Sequence, residues 1–436
     1  MKEEKVIKSL KITSIVFAGI LGVLSILLIL NESFALFTSK TQKITYTIKP
    51  HHEPMLTTGL NFQSIFGDYR DQITEITFET NKDLNTIDTS IASFDVSNSQ
   101  SGNVIGYLTN DPNNQDKYIL HIATEDDKIY TNPDSSFLFA GDYGIFEGIY
   151  GGIGASYENK QGIFNQLSSI NNILVLNTSK TTSFKGMFAG TKVTALDLSN
   201  FNTANATDMS LMFQWAYSLT SLNLQSFNTS NVTDMNSMFD GCSGLINLDL
   251  SSFDTANVTN MKVMFRQIGV SQLDLSGFNT SNVTSMSGMF ASIMSSVSRL
   301  TTLDLSSFDT SNVTDMSGMF YTSVGLTSIN LSSFNTKKVK TMFYMFFSCR
   351  GLTEIDASSF EANEGGVNME AAFCMSDSMP PSTYTLTEIR LDNFDFTHVT
   401  SMSRIFRFTN NATKYLKDTQ ANRDQFGSDS NTVFVN

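Results

Sequence analysis

The sequence predicts an α/β repeat fold: a right-handed solenoid with a parallel sheet on one face and short helical turns, preceded by a small β-rich leader. Three observations predict it. One phrase is written four times with few changes: LNLQSFNTSNVTDMNSMF at 222–239, LDLSSFDTANVTNMKVMF at 248–265, LDLSGFNTSNVTSMSGMF at 273–290 and LDLSSFDTSNVTDMSGMF at 303–320. A fixed period of this size marks an array of stacked units and outranks any local reading. Within the phrase, apolar residues alternate in Leu303-x-Leu305 and then recur at three and four in Val313, Met316 and Met319-Phe320; the first pattern suits a strand and the second a helical turn. Across phrases, residues of one type align in columns.

The N-terminus carries Lys2, Lys5, Lys8 and Lys11 ahead of an uncharged run from Ile12 to Leu30. A basic flank before an apolar stretch is an export signal, and 12–30 is also long enough to span a bilayer. Ser33-Phe34-Ala35 offers small residues for signal cleavage, so residues 1–35 read as a signal peptide or a membrane anchor. Both readings place the rest of the chain outside the cytoplasm. No cysteine lies nearby for lipid attachment.

Residues 36–117 form the β-rich leader. Lys43–Ile48, Ile73–Thr80 and Val104–Leu108 alternate or enrich strand-forming side chains, as does Tyr118–Thr124 beyond the turn-rich 109–114. Residues 118–172 read as an N-terminal capping coil and a Gly-rich loop. Ser136-Phe137-Leu138-Phe139-Ala140-Gly141 resembles the end of a repeat, and an array needs an atypical first unit to cover its open core. The run GDYGIFEGIYGGIGASYE from Gly141 lacks the Lys-Ser/Thr of a phosphate loop and carries Asp142 and Glu147, so it reads as a flexible surface loop.

The array spans 173–406 and a C-terminal cap 407–436. Its closing phenylalanines, Phe188, Phe213, Phe239, Phe265, Phe290, Phe320, Phe346, Phe373 and Phe406, lie mostly 25–27 residues apart, and the longer gaps at 291–299 and 374–385 are read as loops at one edge. The pattern L-x-x-L-x-L-x-x-F (Leu300, Leu303, Leu305, Phe308) makes the unit leucine-rich-repeat-like. Ser311 or Asn312 is placed to cap the helical turn. Met209, Met235, Met261, Met286, Met316 and Met402 form one column, and Met212, Met238, Met264, Met289, Met319 and Met345 another; their spacing favours core filling over copper binding. Threonines (203, 229, 255, 280, 310) and asparagines (205, 231, 257, 282, 312) form columns suited to bonding the next coil's backbone. The same repeat generates N-x-S/T, so glycosylation is not implied.

Net charge is -14, with 42 acidic against 28 basic residues. This argues against nucleic acid, whose phosphates need a basic footprint, and against anionic lipid headgroups. Cys242, Cys349 and Cys374 are too few for a disulfide framework or zinc pattern; they read as buried thiols, or as a Cys349–Cys374 bond between neighbouring coils. His51, His52, His121 and His398 sit in no ligand or nucleophile motif, and no hydrolase or nucleotide motif occurs. No enzyme is implied.

One column is open to solvent. The residue between the two strand leucines points outward: Asp197, Asn223, Asp249, Asp274, Asp304, Asn330 and Asp356. It is the candidate binding face. Like charges one coil apart repel, and calcium would relieve that; a solvated acidic strip with no cofactor is the competing reading. Arg390 breaks the column.

The unit LDLSSFDTSNVTDMSGMF resembles the repeat of BspA-like leucine-rich-repeat surface proteins of bacteria, mycoplasma surface proteins among them. The leader segments Gly102–Leu108 and Lys128–Ser136 are similar to the stretch before their repeats, and Ala412–Asn436 to their closing helix and strand. The resemblance implies a cell-surface or secreted protein that attaches to protein or glycan ligands on host or neighbouring cells, touching the membrane only through its N-terminal segment. The alternative is a structural component of the envelope or biofilm matrix, built by self-assembly.

Overall fold

The structure is a computed structural model that describes residues 53–141, 143–147, 156–160, 164–292, 299–375 and 384–436. The export or anchor segment 1–35, the strand expected at Lys43–Ile48, His51, His52 and most of the two edge loops lie outside the described residues. Among the described residues, small sheets dominate, several of them parallel and none closed into a barrel. Two short α-helices occur among the described residues, Gly59–Ile65 and Gln420–Phe426, both outside the repeats.

The leader is a five-stranded sheet in the order Ser93–Asp95, Ile105–Asn110, Tyr118–Ala123, Ile73–Glu79, Ser169–Asn171. Three strands fall where side-chain alternation places them. The sheet continues past position 117, because Tyr118–Ala123 pairs on both sides and Ser169–Asn171 adds to its edge. The Gly-rich stretch is not a plain loop: Tyr143–Glu147 pairs antiparallel with Ser156–Lys160 as a hairpin.

Successive repeats stack in parallel and in register. Leu196 pairs with Leu222, Leu303 with Ile329 and Ile355 with Ile389. These strands of three or four residues fall in separate sheets, the last one continuing into the C-terminal cap, and the segments around Leu248 and Leu273 are not strands. The continuous connection runs elsewhere. A chain of parallel bridges passes through Asp134, Ser183, Asp208, Asp234, Asn260, Ser285, Asp315, Thr341 and Asn368, at the start of the segment whose spacing suggested a helix.

That segment is not helical. In the 315–322 turn, Met316, Gly318, Phe320 and Thr322 donate their N–H groups to the carbonyls of Thr341, Phe343, Met345 and Phe347 in the next unit, at 2.7–3.0 Å. Intervening amides bond locally, as Met319 does to Met316. Ser237, Val263, Gly288, Gly318 and Tyr344 take positive φ, which a right-handed helix forbids. A helix would spend each N–H on a carbonyl four residues back, leaving none for the neighbouring unit. Overlapping turns keep the spacing of three and four yet release alternate N–H groups for stacking. The expected cap is therefore absent as such: Asn312 Nδ2 donates to the Ser281 carbonyl of the preceding unit at 2.8 Å.

Side-chain ladders reinforce the stack. Buried Thr203, Thr229, Thr255, Thr310 and Thr336 each donate to one carbonyl of the next unit and accept that same residue's N–H. Asn205, Asn231, Asn257 and Asn282 reach back to the preceding unit as Asn312 does. Inside, Phe139, Phe188, Phe213, Phe239, Phe265, Phe290, Phe320, Phe346, Phe373 and Phe406 form one column of stacked rings with centroids 5.2–5.9 Å apart. The methionine columns are buried beside it, except that Met402 in the last unit is half-buried. Cys242, Cys349 and Cys374 are buried thiols. Cys242 and Cys349 donate to the carbonyls of Phe213 and Phe320 one unit back, and burial pushes the Cys349 thiol up to about 12.

Both ends of the ring column are closed. Phe62 and Phe78 pack on Phe139 at 6.4 and 6.0 Å, and Phe426 of the C-terminal helix packs edge-on against Phe406 at 5.5 Å. The closing helix and strand are Gln420–Phe426 and Thr432–Val435. Phe308 is buried in the core, so Phe308→Ala is expected to cost roughly 3–5 kcal/mol. An unchanged denaturation midpoint would contradict its inward placement.

Candidate functional site

The outward column lies where alternation places it. Asp197, Asp249, Asp274, Asp304, Asn330 and Asp356 are exposed and Asn223 is half-buried. Its side chains also have structural work. One carboxylate oxygen of Asp197, Asp249, Asp274, Asp304 and Asp356 accepts the N–H of the serine two residues on, at 3.0–3.1 Å. Asn223 and Asn330 do the same for Gln225 and Ser332. This Asx turn fixes the corner where the strand ends.

The corner recurs at two further positions of the unit. Asn228, Asp254, Asn279 and Asp309 close a second Asx turn onto Ser230, Ala256, Ser281 and Ser311. Asp208, Asp234, Asn260 and Asp315 close a third, onto Ser210, Asn236, Lys262 and Ser317. The abundance of Asp and Asn thus reflects three corners per unit, of which the outward column is one.

Electrostatics follow from these bonds. The Ser199, Ser251 and Ser306 hydroxyls and amides hold Asp197, Asp249 and Asp304 below the usual carboxylate range, and the Ser276 amide and hydroxyl do so for Asp274. The expected repulsion is broken twice, where Asn223 donates to Asp197 and Asn330 to Asp304, both at 3.0 Å. Calcium binds through six to eight oxygens; among the described residues no three acidic, histidine or cysteine side chains gather into such a site. At the C-terminal end of the column, Arg390 sits beside Asp356 in register, pairs with Glu388 and Asp392, and lies over the Tyr415 ring.

A single family model matches three overlapping stretches, 156–239, 218–301 and 270–382, together more than half of the chain; it is described as Mycoplasma protein of unknown function, DUF285. The chain belongs to the DUF285 family. No curated protein and no solved structure matches it. The overlapping DUF285 matches follow the stacked repeats, and the leader sheet lies largely ahead of them.

Two side-chain groups escape the repeat columns. Arg266, among the largest fully buried side chains, pairs with Asp240 through bonds of 2.8 and 2.6 Å, and Gln214 donates to the same carboxylate. All three directly follow a closing phenylalanine, so opposite charges at that position in adjacent units were the available signal. The second group breaks the small-residue pattern of the turn: where one unit has Ser317-Gly318, the next has Phe343-Tyr344. With Tyr321 and Phe347 these make a half-exposed aromatic cluster, and Arg404 bridges the Tyr344 hydroxyl and Glu370 at 3.0 and 2.8 Å.

Because their folded pKa values lie below the unfolded ones, Asp197, Asp249, Asp274 and Asp304 add stability above the unfolded pKa and lose it as pH falls through the folded value. The melting temperature is expected to drop as pH falls below about 4. Asn already makes the same turn at 223 and 330, so the combined variant Asp249→Asn, Asp274→Asn, Asp304→Asn should keep the neutral-pH melting temperature and show a shallower acid decline. Loss of stability at neutral pH would contradict the Asx-turn role.

Proposed function

We propose that the stacked repeats form one leucine-rich-repeat-like solenoid of the BspA-like kind. In this reading the chain is a bacterial cell-surface or secreted binding protein, exported or anchored by its N-terminal segment, that adheres to protein or glycan ligands on host or neighbouring cells and performs no catalysis. The observation that carries the reading is the outward column: exposed carboxylate and amide groups at a spacing set by the stack, each oriented by its own turn. Such a surface offers many weak polar contacts in register, and stacked-repeat proteins use extended surfaces of this kind for recognition. Net charge of -14 directs it away from nucleic acid and anionic lipid.

The Asp249→Asn, Asp274→Asn, Asp304→Asn variant separates binding from folding. Binding of the wild-type chain to immobilised matrix proteins, cell-surface glycans and whole cells is expected to weaken on the order of tenfold in the folded variant, through loss of complementary charge. Equal binding by wild type and variant would remove the column from the ligand face. Light scattering that shows the chain assembling with itself instead, without binding to any of these targets, would replace adhesion by a structural role in the envelope or matrix.

A further inference from the structure

The turn ladder has a direction. At each junction from the first unit, where Ser135, Phe137, Phe139 and Gly141 donate to Ser183, Lys185, Met187 and Ala189, the N–H groups belong to the earlier unit and the carbonyls to the later one. The last junction keeps the rule: Met369, Ala371, Phe373 and Met375 donate to Ser401, Ser403, Ile405 and Arg407. Four columns of peptide groups therefore point the same way along the stack, with N–H ends toward the C-terminal edge.

The two ends are treated differently. At the N-terminal end, the Asp134 and Ala140 carbonyls accept the N–H groups of Gly59 and Phe164, and Gly59 backs so closely on the Ser136 carbonyl that a Cβ would stand 2.0 Å from its oxygen. At the C-terminal end, register aims the N–H groups of Met402, Arg404, Phe406 and Phe408 outward, and none has an acceptor among the described residues. Arg404 is exposed and the other three are half-buried. Phe426 covers the ring column there but supplies no carbonyls to this row.

We infer that the 402–408 edge is a docking site for a segment of another polypeptide that takes up the same overlapping turns and adds to the ladder by presenting carbonyls at alternate residues. Every junction inside the molecule shows what fits such a row of donors, and an unpaired row is a template for strand addition. A whole further unit is excluded from the site because Phe426 already occupies its ring position. A second copy stacked head-to-tail is disfavoured because its N-terminal carbonyls are covered by the leader. The occupant is thus a turn segment held by its backbone, next to the Arg407 guanidinium lying over the Phe408 ring. The site is separate from the outward aspartate column and stands or falls independently of it.

The test uses the full chain and a capped nonapeptide of its own residues 233–241, which carries the carbonyls that one unit offers to the unit before it. N-methylation at the Met235, Ser237, Phe239 and Gly241 positions blocks the peptide's outer edge against self-stacking. Residue-resolved hydrogen exchange should show the Met402, Arg404, Phe406 and Phe408 amides exchanging fast alone and slowing on the order of tenfold or more with saturating peptide. No slowing, or slowing confined to the edge strand Thr432–Val435, overturns the proposal. Protection of the same four amides by self-association without peptide also overturns it, in favour of a second copy.

Discussion

Four backbone hydrogen bonds at each junction, all pointing one way, hold this molecule in register. They lie in the turn that carries the methionines and the closing phenylalanine, not in the leucine strand. Once alternate N–H groups of that turn are committed to the next unit, the remaining geometry follows. The phenylalanine rings are brought face to face at 5.2–5.9 Å, the methionines are buried between units, and the threonine hydroxyls land on the next unit's backbone. No unit can make these bonds alone, so stability is a property of neighbours. The fourth residue of the turn takes positive φ even where it is Val263 or Tyr344. A β-branched or bulky side chain tolerates that conformation only when the surroundings over-determine it.

The same constraint explains what the sequence revealed. Columns of Phe, Met, Thr and Asn were legible because stacking repeats one environment at each unit, the leader strands were legible from local patterning, and the closing helix was expected only from the family resemblance. The turn was read as helical because a helix and a pair of overlapping turns both bring residues three and four apart onto one face. What separates them is where the N–H groups go, and that depends on a partner about 26 residues away. Gly288 and Gly318 hinted at positive φ, but Ser237, Val263 and Tyr344 hid it. The strand ladder is broken around Leu248 and Leu273, where the turn ladder and the side-chain ladders keep the units connected.

At the candidate site the sequence located the outward column but not its second role. Asp304 looked like a free carboxylate because nothing local announces that Ser306 two residues on is its partner. Two further columns at Asp309 and Asp315 do the same task, so exposure and function are separable only by substitution. Asn223 and Asn330 show that the protein itself exchanges charge for amide without losing the corner. The Asp240–Arg266 pair, by contrast, is legible only once the units are aligned, and it marks a buried position where neighbouring units carry Ala291 and Tyr321. Breaking such a pair leaves an uncompensated buried charge, which is costly whatever the pair itself contributes.

The direction of the ladder also separates the two ends of the array: the leader covers the carbonyl end, while the N–H end is closed only at its hydrophobic core. The most direct test of the ladder is nuclear magnetic resonance detection of scalar couplings across hydrogen bonds in the deuterated protein. Coupling is predicted from the amide nitrogen of Phe265 to the carbonyl carbon of Met289, and from Phe290 to that of Met319, matching bonds of 3.0 and 2.9 Å. Coupling from Phe265 to Met261 instead, four residues back in its own unit, would mean that the turn is a helix and would contradict the account.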